Sequence, residues 1–382
     1  MELCPDKSKR FFDSIRTSGL DLRDIRGKRH TLEVVLTGVV VALMSVQDGS
    51  LSALHRHMKN YYGDLCAVLG EACKRVVSRS QLPLILGMVR WETLNELILE
   101  HFGRQIFQQG TRWYSVDGKE LRGSHELGHT RAESVVEVVD HEGHEIVAQT
   151  YYSGEKESEI PAVRELLASS GLDKQHLTLD ALHCNEKTLE QIHQAGGIYL
   201  VPVKNNQALL EADLTQWTRI RKAVAHQEDF NKEHGRLETR RYKAWDIRQV
   251  FFEERWEKCG LATLIKVERH TIKINTQKQV QETVLYICNQ TLSCPKKTAP
   301  GLFKAIRNHW RVETDNWIRD VDMKEDAAYS RKKPFQRTMA ALRTMAFNNI
   351  LAFKPPCFKE LMENCNRNFS LAVNVLRKAQ FL

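Results

Sequence analysis

The sequence has no C-x-x-C pair, no apolar stretch long enough for a bilayer and no apolar leader. Its nine cysteines, Cys4, Cys66, Cys73, Cys184, Cys259, Cys288, Cys294, Cys357 and Cys365, are odd in number and scattered. That pattern argues against a zinc module or a disulfide framework and reads as reduced thiols in a cytosolic protein. The most apolar run, Val34 to Val46, is about 13 residues long and is interrupted by Thr37, Gly38 and Ser45, too short to span a membrane. It reads as a buried core helix, and no membrane partner is expected. The opening MELCPDKSKR is polar and charged, unlike a signal peptide.

Excess negative charge is also missing. The 382 residues carry a formal net charge of +8, with 42% hydrophobic and 27% charged residues. Such a chain suits two or three globular domains. Its charge favours a polyanionic partner, nucleic acid first, with a merely solvated basic surface as the plain alternative.

Residues 1–108 read as helical: TLEVVLTGVVVALM, LSALHRHMKNYYGDLCAVLG and LPLILGMVRWETLNELILEHFG are apolar at helical spacing between glycine and polar breaks. The period changes at Arg112. RWYSVD, SVVEVV and HEIVAQTYY are short β-branched and aromatic runs, a three-strand meander. SEIPAVRELLASSG then reads as a helix, HLTLDAL as a strand, NEKTLEQIHQAGG as a helix capped by Asn185, and IYLVPVK as a strand. The order βββαβαβ, a meander followed by right-handed crossovers, predicts an α/β, ribonuclease H-like catalytic domain.

Asp117 stands where the first strand meets the loop GKELRGS. Alone, Asp-Gly is a turn signal. Asp180, in LTLDALHCNE, ends the fourth strand and has a plain reading as a cap. Crossover geometry can bring those two strand ends together, where open α/β sheets place their ligands, and paired carboxylates in a basic protein suit Mg²⁺ with substrate phosphate. A third carboxylate, Glu313, lies on the helical stretch PGLFKAIRNHWRVE among Arg307, His309 and Arg311, a setting for phosphate or for a salt-bridged solvent face.

From Lys204 to Thr298 the chain reads as an insertion: a polar helix NQALLEADLTQWTRIRKAVAH, a loop EDFNKEHGR, and strands LETRRYKAWDI, ATLIKVERHTIKI and ETVLYICNQ. Arg236, Arg240, Arg241, Tyr242, Lys243 and Trp245 alternate along one strand, so one face could track a phosphate backbone or simply be exposed.

Taken in order, DGKELRGS, EKESEIPAVRELL, LTLDALHCNEKTLEQIHQAGGIYLVPVKNNQ, HGRLETRRY and RNHWRVETDNWIRDVDMKEDAAYSR resemble the transposases of the ISAs1 group of bacterial insertion sequences. These are the relatives called H-repeat-associated proteins, within the IS4-like DDE class. The resemblance runs over nearly the whole chain. It implies that Asp117, Asp180 and Glu313, separated by about 60 and about 130 positions, are the catalytic and metal-binding D, D and E. It further implies that the helical N-terminal residues are a transposase-associated domain serving end recognition or dimerisation. Relatives of the wider class often place Tyr, Arg and Lys around the glutamate and Asn after it. Ile306, His309, Asp320 and Thr314 stand there in this chain, so no Tyr or Lys role is carried over.

The domains so implied are 1–108, all-α; 109–205 with 296–350, catalytic; 206–295, the β-rich insertion; and 351–382, a helical tail. Two Mg²⁺ ions, with Mn²⁺ as a substitute, would activate water and stabilise the leaving 3′ oxygen, Asp117 bridging them and Asp180 and Glu313 each completing one. Lys119, Arg122, His183, Lys204, Asn206, Gln207, Arg236, Arg240, His309 and Arg311 are candidates to hold DNA. Acids Asp320, Asp322, Glu325 and Asp326 are assigned structural or outer roles. The expected partners are double-stranded DNA, as terminal inverted repeats and as target, and a second copy of the chain on DNA, in a bacterial cytoplasm at the nucleoid. A DDE-type nuclease or domesticated recombinase, and a non-catalytic DNA-binding relative, are the rival readings.

Overall fold

The computed structural model describes residues 10–72, 75–103, 111–124, 132–152, 156–233, 235–330 and 332–382. In chain order the helices and strands are α1 (Phe11–Thr17), α2 (Leu32–Ser45), α3 (Leu51–Asn60), α4 (Tyr62–Leu69), α5 (Leu82–Leu86), α6 (Trp91–Phe102), β1 (Trp113–Glu120), β2 (Ser134–Asp140) and β3 (Ile146–Tyr152). There follow α7 (Lys156–Ser170), β4 (His176–Thr178), α8 (Glu186–Gln194), β5 (Ile198–Val203), α9 (Ala208–Ile220), β6 (Ala225–Glu233), β7 (Arg236–Asp246), β8 (Thr263–Lys273) and β9 (Gln279–Cys288). The chain closes with α10 (Pro295–His309), α11 (Arg311–Val321), α12 (Lys333–Phe353), α13 (Phe358–Arg367) and α14 (Phe369–Lys378).

The architecture is mixed α/β, and the order βββαβαβ expected between Arg112 and Lys204 is the order observed. Two compact units divide the chain. One comprises Met1–Gln108, Gly118–Ala162 and Glu313–Leu382, the other Gln109–Asp117 and Val163–Val312. The expected junction at 108/109 lies outside the described residues.

In the first unit α2 is buried at all 14 positions, as a helix apolar all round must be. It packs against α3, α12 and α13. Each fully buried Leu, Val or Phe contributes about 1.5–3 kcal/mol. α12 also carries polar side chains inward, and they replace missing strand partners. The Asn348 carboxamide accepts the Ile146 N–H at 2.9 Å and donates to the Ile146 carbonyl at 2.8 Å, closing the start of β3. Gln149 donates to Asn95 at 2.8 Å and accepts from Thr344 at 2.7 Å. These bonds tie β3 to α6 and α12.

Deeper still, Arg319 of α11 meets Glu137 of β2 through both guanidinium nitrogens, one at 2.5 Å, with side chains only 1% and 4% exposed. A pair so buried repays its desolvation only when the geometry is bidentate. The helix expected over 51–70 is interrupted at Tyr61, whose ring stacks on Phe369 at 5.2 Å; that tertiary contact outweighs local helix propensity.

In the second unit β1, β4 and β5 run parallel, and β9, β8, β7 and β6 follow in antiparallel order. α10 covers the insertion, with Phe303 stacked on Tyr242 at 5.0 Å and Leu302 and Ile306 in the same cluster. One expectation is corrected here. EDFNKEHGR is not a loop: most of it lies in β6, which pairs with β7 from Ala225↔Ala244 to Glu233↔Arg236. The strand lies at the sheet edge with alternate residues at most half-buried, so its polar sequence carries no apolar alternation to signal a strand.

Replacing Glu137 by Ala leaves Arg319 charged and unpaired in the core. We expect a loss of about 3–5 kcal/mol, read as a fall in the thermal midpoint, while the paired change Glu137→Leu with Arg319→Met regains most of it. A midpoint unchanged by Glu137→Ala would show that the pair does not hold this unit together.

Candidate active site

Asp117 and Asp180 are brought to equivalent places by the parallel register of β1 and β4. Ser115 is paired with Thr178, and their hydroxyls lie 3.1 Å apart, buried. Asp117 and Asp180 each follow that pair by two residues. Because side chains alternate along a strand, both aspartates start from the face and the height that Ser115 and Thr178 mark, on strands about 5 Å apart. Asp117–Gly118 is therefore not a turn, and β1 continues to Glu120. Gly118 is required by close packing: a Cβ there would stand 2.8 Å from the Glu159 carboxyl.

Asp180 caps the 3-10 turn Ala181–His183, its carboxylate accepting the Leu182 N–H at 3.0 Å. Its plain role as a cap is thus real, yet the side chain remains 45% exposed and His183 Nε2 is 3.8 Å away. Behind it, His309 Nδ1 lies 3.0 Å from Thr178 Oγ1. Burial, reinforced by the neighbouring His183, pushes the His309 imidazole down to about 4, so it is neutral near pH 7. Asn206 donates to the Ala181 carbonyl at 2.7 Å and Gln207 to that of Cys184 at 2.8 Å. Both carboxamides brace the loop that carries Asp180, and His183, 1% exposed, faces the same loop. Lys204 is exposed.

Other candidates divide in the same way. Arg240 is paired with Glu238 at 2.6 Å and is 17% exposed. Arg241 meets Glu228 at 3.2 Å and Lys243 meets Glu268 at 3.4 Å. Much of the basic strand is therefore neutralised by its own sheet, whereas Arg236 is exposed.

In the first unit, Glu313 is exposed in the first turn of α11 and Arg122 is exposed after β1; Arg311, exposed at the start of that helix, belongs to the second unit. Lys119 is ion-paired with Glu325, at 12% and 4% exposure, which withdraws it from phosphate. Burial would raise the Glu325 carboxyl, but the charges of Lys119, Arg319 and Arg343 hold it down at about 2. Asp326 accepts the Gly123 N–H at 3.1 Å. Glu325 and Asp326 are thus engaged by Lys119 and by the Gly123 N–H. The hydroxyl pair Ser115–Thr178 was missed; its only sequence signal is that each residue precedes a candidate aspartate by two positions.

Among the described residues no group of three or more His, Cys, Asp or Glu side chains is gathered as a ready metal cage. The two aspartates supply hard, partly exposed oxygen donors, which suit Mg²⁺ far better than zinc.

A family model described as "Transposase DDE domain" matches residues 109–349. "Putative protein YbfL" of Escherichia coli (strain K12) is 30% identical over 240 residues, 61% of this chain and 62% of that protein. "H repeat-associated putative transposase YhhI" of the same strain shows 30% identity over 240 residues with the same coverage. "Putative transposase YncI" of Escherichia coli O157:H7 is 28% identical over 240 residues, 61% of this chain and 60% of that protein. The chain thus spans about six-tenths of the length of these curated relatives.

His309 gives a pH test. Its folded value lies below that of an unfolded imidazole, so its stabilisation is complete above about pH 6.5 and is lost as pH falls through 4. We expect His309→Asn to flatten the acid loss of thermal stability across that window by on the order of 2–3 kcal/mol. An acid limb identical in wild type and variant would contradict the buried, neutral imidazole.

Proposed function

The chain belongs to the IS4-like DDE transposase family, and on that basis we propose that it is the transposase of a bacterial insertion sequence, cutting DNA at terminal inverted repeats and joining the freed ends to target DNA. The observation that carries the reading is that Asp117 and Asp180 each stand two residues beyond the parallel pair Ser115↔Thr178, within the matched residues. The order βββαβαβ with parallel β1, β4 and β5 supports a ribonuclease H-like catalytic domain.

In this reading Asp117, Asp180 and Glu313 are the catalytic carboxylates and would hold divalent metal. Mg²⁺, or Mn²⁺ in its place, supplies charge neutralisation and an activated water when bound. The first reaction adds water to phosphorus and breaks the P–O3′ bond, leaving a 3′-OH on one side of the break and a 5′-phosphate on the other side of the same strand. In the second, that 3′ oxygen bonds to a target phosphorus, a target 3′ oxygen leaves, and the proton passes from attacking to departing oxygen. No nucleotide energy source is needed.

The chain's own groups divide the remaining work. Asp180 is fixed by its cap to Leu182 and by the loop braces Asn206 and Gln207, which limits the rotamers it can adopt. Neutral His309 holds the Thr178 hydroxyl without adding positive charge behind the carboxylates. Arg122, Lys204, Arg236 and Arg311, all exposed, are the groups left to grip phosphates. A homodimer on DNA, and residence at the nucleoid of a bacterial cytoplasm, complete the proposal. Among the described residues no helix is long and apolar enough to cross a membrane.

The test uses a duplex carrying the terminal repeats that flank the gene. Asp117→Asn, Asp180→Asn and Glu313→Gln should each keep duplex binding. Each should reduce cleavage by more than the roughly 10–100-fold that outer partners of a metal ligand contribute. Asp322→Asn should cut at a measurable rate. Joined products support a transposase; cut but unjoined products would make it a nuclease, and shifted, intact DNA a binder. Normal cutting by Glu313→Gln would remove Glu313 from the site.

A further inference from the structure

The segment leading into α2 folds back on the residues around α5. Leu22 N–H donates to the Met88 carbonyl at 3.1 Å, Arg90 N–H donates to that of Leu20 at 2.9 Å, and Asp21 and Val89 form an isolated antiparallel bridge. Between them the first unit opens into a cleft of about 820 Å³, large enough for a nucleotide-sized group.

The cleft has a cationic side and an apolar side. Arg23 is buried, with Nε on Asp21 at 2.8 Å and Nη2 on the His30 carbonyl at 2.8 Å. Its Nη1 is also buried and finds no hydrogen-bond partner among the described residues. A guanidinium held so firmly, with one donor left over in the wall of a cleft, is prepared for an acceptor that arrives from outside. Arg29 and Arg75 line the same cleft, exposed and without an acidic partner among the described residues. The two acids of the lining are engaged: Glu71 pairs with Arg16, and Asp24 accepts the Arg26 N–H at 2.9 Å. Thr31, also in the lining, starts the 14-residue helix α2 without a side-chain cap, so the positive end of that helix adds to the field. Burial first, and then the charges of Arg23, Arg75 and Arg29, lower the His30 imidazole pKa. On the other side Leu84 and Met88 are about half exposed.

We propose that this cleft is a nucleic-acid site separate from the carboxylates, in which a DNA backbone phosphate sits between Arg29 and Arg75, takes a hydrogen bond from Arg23 Nη1, and rests its sugar against Leu84 and Met88. The inference rests on the reading of this chain as acting on DNA. It assigns part of the grip on DNA to a fixed donor and two mobile cations outside the matched domain, as a positioning contact that needs no base sequence.

Binding of labelled duplex by the full chain, measured across a series of salt concentrations, tests this. Each phosphate contact contributes about 0.9 to the slope of log affinity against log salt, so Arg29→Gln with Arg75→Gln, which together release the one phosphate, should lessen the slope by about 1, with the thermal midpoint unchanged. The exposed pair Lys359→Gln with Arg377→Gln, which removes the same charge elsewhere, should change it far less. A wild type that binds no duplex would overturn the DNA-acting reading and this inference with it. Tight wild-type binding with an unchanged slope in the cleft variant would overturn the inference alone, as would equal losses in both variants. Inorganic pyrophosphate, at matched ionic strength, should displace duplex no better than sulfate. Selective displacement would make the cleft a site for free phosphates and would refute the DNA assignment.

Discussion

A buried charge must be matched by another, and the first unit buries several of them, Glu137, Arg319, Glu325 and Arg343 among them. None could stand alone in so dry an interior. Arg319 answers Glu137, Lys119 answers Glu325, and the field of Glu325 and Asp326 offsets part of the cost of burying Arg343, whose pKa desolvation nonetheless lowers. The elements that supply these charges are far apart in sequence: the end of β1, β2, α11, the turn after it, and α12. Charge matching therefore fixes how the end of β1 after Asp117 and the helix that carries Glu313 are held inside their own unit.

The second unit relies on a different constraint. Parallel pairing sets β1 and β4 in a register that can slip only by turning every side chain to the opposite face. The hydroxyl contact between Ser115 and Thr178 and the imidazole of His309 behind it pin that register from within. Two aspartates at equal offsets are the result. The geometry of the candidate site is a consequence of strand pairing before it is a property of the carboxylates.

Short β-branched and aromatic runs and helical spacing made the element order legible in the sequence, because β2, β3 and β5 are buried along most of their length. The aspartates were legible for a simpler reason: each follows directly on the apolar run of a strand, although β1 itself continues past Asp117 to Glu120. What remained hidden lay in tertiary contacts. Nothing local marks Tyr61 as a break, since its reason is Phe369 far along the chain. β6 is polar on both faces and carries no period to read. Lys119, Asn206, Gln207 and Arg240 were legible as polar groups near a site. Whether such a group faces solvent or is engaged by Glu325, Ala181, Cys184 or Glu238 depends on neighbours that sequence spacing does not name.

The all-round burial of α2 has a consequence for synthesis. Its packing partners α12 and α13 leave the ribosome long after it does, and the contact between Gln47 and Glu363 joins residues 316 positions apart. Until they emerge, an apolar cylinder covered only on the side of α3 and its neighbours must wait, exposed to chaperones and to other nascent chains. A reading frame cut short before Lys333 would yield a product that cannot close this unit at all. Decay of an inserted gene from its 3′ end would therefore abolish the fold while every candidate catalytic carboxylate was still encoded.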